Sequence, residues 1–180
     1  NSPLLLADRN DTIFILEGQV DIFAVRVADG ETVGPRHPLF RASAGELVFG
    51  PAADAPYRFL AVGTDGTVVL RAVTDADLDS FKAEHLAAIL DRFVGGLSGC
   101  FSSAMPEGGT IVVDAGNDAE IFRNMPLHAS SRRAVWLQAM GSEARFALYG
   151  HEHLGADLLP ISSTLWITSS EPACVRAWTS

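Results

Sequence analysis

The stretch TIFILEGQVDIFAVRV at residues 12–27 decides how the chain reads. Two alternating apolar runs flank Glu17-Gly18, and alternation broken by a central glycine signals strand, tight turn, strand. The signature returns downstream. AVWLQAMGSEARFAL at 134–148 can be laid on DTIFILEGQVDIFAV at 11–25 with Gly141 over Gly18, an internal repeat of one β-hairpin type. Between the copies, turn markers at Asp29-Gly30, Gly34-Pro35, Gly45, Gly50-Pro51, residues 54–56 and Asp65-Gly66 separate short segments rich in Phe, Leu and Val. Such spacing predicts a mainly β fold, a β-sandwich or β-roll.

After residue 73 the period changes. Thr74 with Asp75 and Asp77 is an N-cap and acidic first turn, and Leu78, Phe81, His85, Ile89 and Phe93 recur at three- and four-residue steps. The spacing predicts one long amphipathic helix over 75–94, stopped by Gly95-Gly96. His85 reads as a core-edge residue rather than a ligand. A small, Ser-rich connection follows at 100–106, and β signals return at 110–113, 121–122, 135–139, 144–149, 165–168 and 174–178. The expected organisation is a β-roll plus helix at 1–99 and a second β-rich half at 100–180 packed on the first. With the helix stripe holding the rolls together, neither half should fold well alone.

Composition narrows the function. The chain has 180 residues, 48% of them hydrophobic, which suffices for a sizeable core. Its longest apolar runs, at 4–7, 13–16 and 86–90, are far shorter than a bilayer span, so a soluble segment is expected. Thirteen Lys and Arg against 22 Asp and Glu give a net charge of -9, a field that repels nucleic acid and anionic lipid. Lys82 is the single lysine and stands outside any G-x-x-x-x-G-K-[ST] run, which excludes an ATPase site. Cys100 and Cys174 form neither C-x-x-C nor a zinc spacing and read as free buried thiols in a reducing compartment. The start Asn1-Ser2-Pro3-Leu4 has no signal-peptide pattern and reads as a piece of something longer.

The order Ile15, Gly18, Val20, Phe23, then Gly45, Phe49-Gly50, Arg58, Val62, Val69-Leu70, then Leu78 and Phe81 carries a resemblance over about residues 10–95. It resembles the cyclic-nucleotide-binding-like β-roll, a double-stranded β-helix. By that resemblance Gly45, Glu46, Phe49, Gly50 and Arg58 are the ligand-cassette positions. Two departures make the cassette degenerate. Pro51 stands where the family has the Glu that holds the ribose, and Arg58 comes early, followed by Phe59-Leu60 where small residues leave room for a phosphate. Glu46 and Arg58 then read as structural charges.

With the edges included, PLLLADRNDTIFILEGQVDIFAV, GPRHPLFRASAGELVFG, AVWLQAMGSEARFALYG and LLPISSTLWI look like one family's N-terminal region. That family is the ATP-binding subunit of bacteriocin-export ABC transporters serving nitrile-hydratase-type leader peptides. The resemblance implies a non-catalytic regulatory or docking region, cytoplasmic and tethered to the inner membrane in the full-length protein. Its implied partners are the rest of the transporter and its leader-peptide substrate, with a homodimer as a further arrangement. No cofactor, nucleic acid or membrane span belongs to this segment. A small-ligand sensor is the rival reading.

A third reading is a cupin-type metalloenzyme. His151 and His153, at i, i+2 on a strand, share a face, and Asp157 follows; cupins use an H-x-H with a later carboxylate and a further histidine. Only His128 is left to add, and a solvated loop is favoured. Arg36, His37 and Arg41, in GPRHPLFR, make an anion or peptide contact against the plainer reading of a proline-rigid loop with solvated charges, and Arg132-Arg133 has the same status. No G-x-S-x-G elbow is present, and Cys100 just beyond the helix reads as structural. Trp136, Trp166 and Trp178 fall in strand-like segments as core or interface residues.

Overall fold

The computed structural model describes the chain except residues 1, 29, 54, 65, 67, 101–107, 142–143, 149–150, 156 and 180 and the side chains of His151 and Leu154. The chain divides into two compact units, Asn1–Cys100 and Phe101–Ser180. In the first lie β1 (Leu4–Leu6), β2 (Thr12–Glu17), β3 (Gln19–Ala28), β4 (Glu31–Ser43), β5 (Leu47–Val48), β6 (Arg58–Gly63) and β7 (Val69–Val73). They form two antiparallel sheets, ordered β1-β6-β3-β4 and β5-β2-β7. Alternation turns Ile13, Ile15, Val20, Ile22, Ala42, Val48 and Ala61 inward as one buried cluster.

The deciding stretch forms both strands it predicts, but they are not a hairpin. β2 pairs with β5 and β7, whereas β3 pairs with β4 and β6, so Gly18 is where the chain crosses from one sheet to the other. Its φ of +84° is the left-handed region that favours glycine. The crossing is stitched to the next corner: the Gly18 carbonyl accepts from Ala44 N (3.1 Å), Gly45 N donates to Ile15 O (2.8 Å), and Ile15 N donates to Glu46 O (3.0 Å). The real hairpin joins β3 to β4, where Ala28 faces Glu31 and Gly30 takes φ +83°.

Gly34-Pro35 is not a turn either. β4 runs straight through it, and because Ala24 pairs with His37 and Arg26 with Val33, residues 34–36 bulge opposite Val25. β4 is an edge strand, where prolines and bulges are tolerated because no further strand needs their N–H groups.

The expected single helix is two, α1 (Asp75–Asp79) and α2 (Ala83–Cys100). Thr74 caps α1 in a full capping box with Asp77, and the break comes where the backbone N–H and hydroxyl of Ser80 both donate to Asp77 O, at 3.0 and 2.6 Å. Gly95-Gly96 does not stop α2, because Gly96 is there for contact: a Cβ on it would lie 2.9 Å from the Phe40 ring. The apolar stripe packs on strands of its own unit. Phe81 meets Phe14 edge-on at 5.8 Å, and Phe93 meets Phe40 at 5.7 Å and Phe49 at 5.1 Å. His85, expected at the core edge, is exposed. Among the described residues no helix is long and apolar enough to cross a membrane.

The second unit holds β8 (Ile111–Val112), β9 (Asp118–Ile121), β10 (Leu127–His128), β11 (Val135–Ala139), β12 (Arg145–Leu148), β13 (His151–Leu154), β14 (Leu159–Ile161), β15 (Ile167–Ser169) and β16 (Ala173–Trp178). Its sheets are ordered β13-β12-β15-β10-β8 and β14-β11-β16-β9. Without β8 and β9, these orders are those of β4-β3-β6-β1 and β5-β2-β7 with the strands taken in the same chain sequence. The repeat is therefore a whole seven-strand roll, and both units are double-stranded β-helix folds. β11 and β12 lie in different sheets, as β2 and β3 do. The overlay of Gly141 on Gly18 is out of phase, however: it sets buried Leu137 and Phe146 over half-buried Phe14 and Phe23.

Candidate functional site

Of the cassette positions suggested by sequence, Glu46, Phe49, Gly50 and Arg58 are engaged by the chain itself, while the Cβ position of Gly45 is open. Gly45 takes φ +87° in the turn between β4 and β5, and Glu46 behind it closes that turn, its Oε2 accepting from Ser43 N at 2.8 Å. Oε1 of Glu46 meets Nε of Arg92 on α2 at 3.2 Å, so this carboxylate ties the corner to the helix. Phe49 packs under Phe93, and Gly50 lies beneath the loop joining β1 and β2: a Cβ there would sit 1.9 Å from Asp8 O. That loop is itself fastened by Asp11, whose Oδ2 accepts from Ala7 N at 2.6 Å and Asp8 N at 3.2 Å.

Arg58 is turned into its own loop. Nη1 donates to Ala55 O (2.5 Å) and Tyr57 O (3.2 Å), and Nη2 to Ala53 O (2.8 Å). A guanidinium has five N–H donors, and here carbonyl oxygens surround it where a phosphate needs donors. The arginine organises the β5–β6 connection.

The arginine-rich segment separates into two parts. Arg41 is held bidentately by Asp21, Nε to Oδ1 at 2.7 Å and Nη2 to Oδ2 at 3.1 Å, as their pairing across β3 and β4 requires. Arg36 and His37 are exposed, on strand rather than loop, in and beside the bulge. His37 meets the Tyr57 ring edge-on at 6.5 Å, and the Arg26 guanidinium lies 5.5 Å over the same ring with Nη2 3.5 Å from the hydroxyl. Sequence reading missed Arg26 and Tyr57. Arg26 ends an alternating strand run, and Tyr57 follows turn markers, so only the sheet pairing brings them together.

The histidine pair of the second unit lies on β13 as expected, with the His151 side chain outside the described residues. His153 pairs with buried Phe146 and so shares the inner face of its sheet, whereas His128 follows inward Leu127 and faces the other way, with Nδ1 2.9 Å from Ala129 O. His128 cannot join His153. Asp157 is exposed, and no group of three or more His, Cys, Asp or Glu converges among the described residues.

Both cysteines are free, but neither is buried as expected: Cys100 is half-buried and Cys174 is exposed. Cys100 belongs to α2 rather than lying beyond it, and its thiol donates to Leu39 O and Gly96 O. Burial pushes that thiol above the usual range, which opposes the thiolate a nucleophile needs. Arg132 and Arg133 are exposed. Trp136 and Trp178 pair across β11 and β16 on the outer face, with Trp178 46% exposed, and Trp166 precedes β15.

No protein-family model matches the chain, and no curated protein matches it significantly. Among solved structures it is similar to cAMP-bound PfPKA-R, at 9% identity over 97% of this chain and 65% of that one, TM-score 0.30. It is also similar to the regulatory domain of Toxoplasma gondii PKA with cAMP, at 7% identity over 99% and 77%, TM-score 0.27. A cupin 2 conserved barrel domain protein from Leptotrichia buccalis follows, at 9% identity over 97% and 76%, TM-score 0.24. The chain thus spans a little under two thirds of the first of these. Overlays this loose carry no argument, and the strand order alone assigns the chain to the mainly β, double-stranded β-helix rolls.

Proposed function

We propose that the chain is a non-catalytic regulatory or substrate-docking region of a peptide-exporting ABC transporter, on its cytoplasmic side, and that it does not bind cAMP. One observation carries the second half: Arg58 turns both Nη1 and Nη2 onto the carbonyls of residues 53, 55 and 57. The occupied Gly50 and the Glu46 ties to Ser43 and Arg92 agree with it. The exporter context rests on the sequence resemblance, which spans nearly the whole chain. Its partners are the remaining transporter and its leader peptide, and a homodimer is compatible with the reading.

Calorimetry with cAMP and cGMP tests the ligand half. The Pro51 side chain offers no acceptor for a ribose hydroxyl, and an unpaired polar group costs about 1–3 kcal/mol, so no heat is expected at micromolar nucleotide. Micromolar binding that Arg58→Ala abolishes would establish a nucleotide sensor instead. The reading frame beyond Ser180 tests the context, which requires membrane-spanning segments and then a Walker A motif.

A further inference from the structure

We propose that the outer edge of β7 in the first unit accepts an extended peptide segment as an added antiparallel strand. The inference rests on the docking reading above and names how the docked segment is held. The duplicated roll supplies the argument, because one edge is filled in one copy and open in the other. β7 and β16 hold the same place in the two strand orders, each paired on one side with its counterpart strand, β2 or β11. On its other side β16 carries β9 in antiparallel register, whereas β7 has no further strand among the described residues.

Backbone direction shows what the open edge presents. Ile15 donates its N–H to Glu46 O (3.0 Å) and its carbonyl accepts from Gly45 N (2.8 Å), both on the β5 side. Leu70, opposite Ile15, therefore turns its own N–H and C=O away from β2, and Ala72, opposite Ile13, does the same. Neither makes a further hydrogen bond among the described residues. In the second unit Ala177 stands opposite Leu137 with the same orientation, and there its N–H donates to Asn117 O (3.0 Å) and its carbonyl accepts from Gly116 N (2.9 Å). The added strand also extends the core, with Ile121 buried and Ala119 packed against the cluster. On β7 the inner side chain Leu70 is half-buried against the core of its roll, while Val69, Arg71 and Ala72 are exposed.

The other edges of the first unit are guarded. β4 carries Pro35, Pro38 and the bulge, β5 has two residues and β1 has three. β7 has five residues and no proline. An extended segment with apolar side chains alternating toward the roll fits this edge, because its free N–H and C=O groups continue the ladder. A helix does not, since its backbone groups are already paired.

The test is fluorescence anisotropy of the whole chain with a fluorescein-labelled peptide of residues 115–122, AGNDAEIF, beside the same peptide N-methylated at Ala119 and Ile121. The N–H groups of those two residues are in step with Asn117 O and so turn toward β16, which makes them the donors a ladder needs. The plain peptide should bind and the methylated one should not. Ala72→Pro removes an outward N–H and should bind about tenfold more weakly with an unchanged circular dichroism spectrum, whereas Ala72→Ser keeps that N–H and should bind as wild type does. Equal binding of the two peptides, or undiminished binding by the Ala72→Pro variant, overturns the proposal. So does a dimer in light scattering that Ala72→Pro dissociates, which would give the edge to a second copy. The leader peptide encoded with the transporter separates this inference from the docking reading. If it binds wild type and the Ala72→Pro variant equally, docking stands and the edge is wrong; if the 115–122 peptide binds as expected and the leader does not bind at all, the edge stands and docking of the leader fails.

Discussion

The two units are one roll in two settings. Their seven shared strands follow the same order, yet the first is followed by α1 and α2 and the second is preceded by β8 and β9, which widen its sheets. This changes what each roll does with aromatic residues outside its core. In the first unit Phe14, Phe40 and Phe49 lie partly buried against Phe81 and Phe93. In the second, Phe122 and Trp178 are each more than 45% exposed. Strand order is thus set by alternation and corners, while surface chemistry comes from what is appended to the roll.

The largest expected effect strikes that appended helix. Phe93→Ala removes a ring that bridges Phe40 and Phe49, and such truncations cost about 3–5 kcal/mol. For a unit of this size that is a fall in melting temperature of at least about 10 °C. All three tryptophans are in the second unit, so their fluorescence reports on it separately from the far-ultraviolet signal of the whole chain. The sequence reading has the halves melting together, and both signals should shift. A tryptophan transition that stays in place while the other falls would make the units independent.

Glycine substitutions sharpen the comparison at its corners. A Cβ at Gly50 meets Asp8 O at 1.9 Å and one at Gly155 meets Ala139 Cβ at 2.8 Å, so both alanine variants should lose about 1–3 kcal/mol of stability to overpacking. Gly18→Ala should lose about 1–2 kcal/mol because of its φ. Gly141→Ala should be close to neutral, since nothing lies within 4 Å of its Cβ position. Chemical denaturation measures all four. A cost at Gly141 equal to that at Gly18 would restore the literal overlay of the two stretches, whereas Gly155, which donates to Ala144 O at 2.7 Å, is the structural clasp of the second roll.

These corners also show what the sequence can carry. Alternation at 12–27 and 134–148 locates the strands because burial on one face has period two, and Thr74 with Asp77 locates α1 because capping is local. Pairing is not local. Nothing in Glu17-Gly18 says whether the next strand returns beside β2 or crosses to the other sheet, and Gly96 looks like a stop until Phe40 is found against it. The candidate site follows the same division. Residue types announced Arg58 and Arg41 as anion-seeking groups, but their partners, carbonyls for one and Asp21 for the other, come from loop and sheet geometry.

The smallest expected effect concerns one matched feature, a bidentate arginine–aspartate pair across neighbouring strands: Arg41 with Asp21 in the first unit, Arg176 with Asp118 in the second. The hydrogen bonds from Arg176 hold the Asp118 carboxyl below the usual carboxylate range. A lowered folded-state value means the unfolded chain binds its proton first, so this contribution is complete above the ordinary aspartate range and is lost as pH falls through the folded value. Asp118→Asn should therefore lower the tryptophan-detected melting temperature slightly at neutral pH and not at all once wild-type Asp118 is protonated. The pair is about half exposed, so the neutral-pH difference should shrink in molar salt. A difference that persists unchanged into acid would assign the effect to packing of Arg176 over the Trp178 ring, 5.8 Å away, rather than to the ion pair.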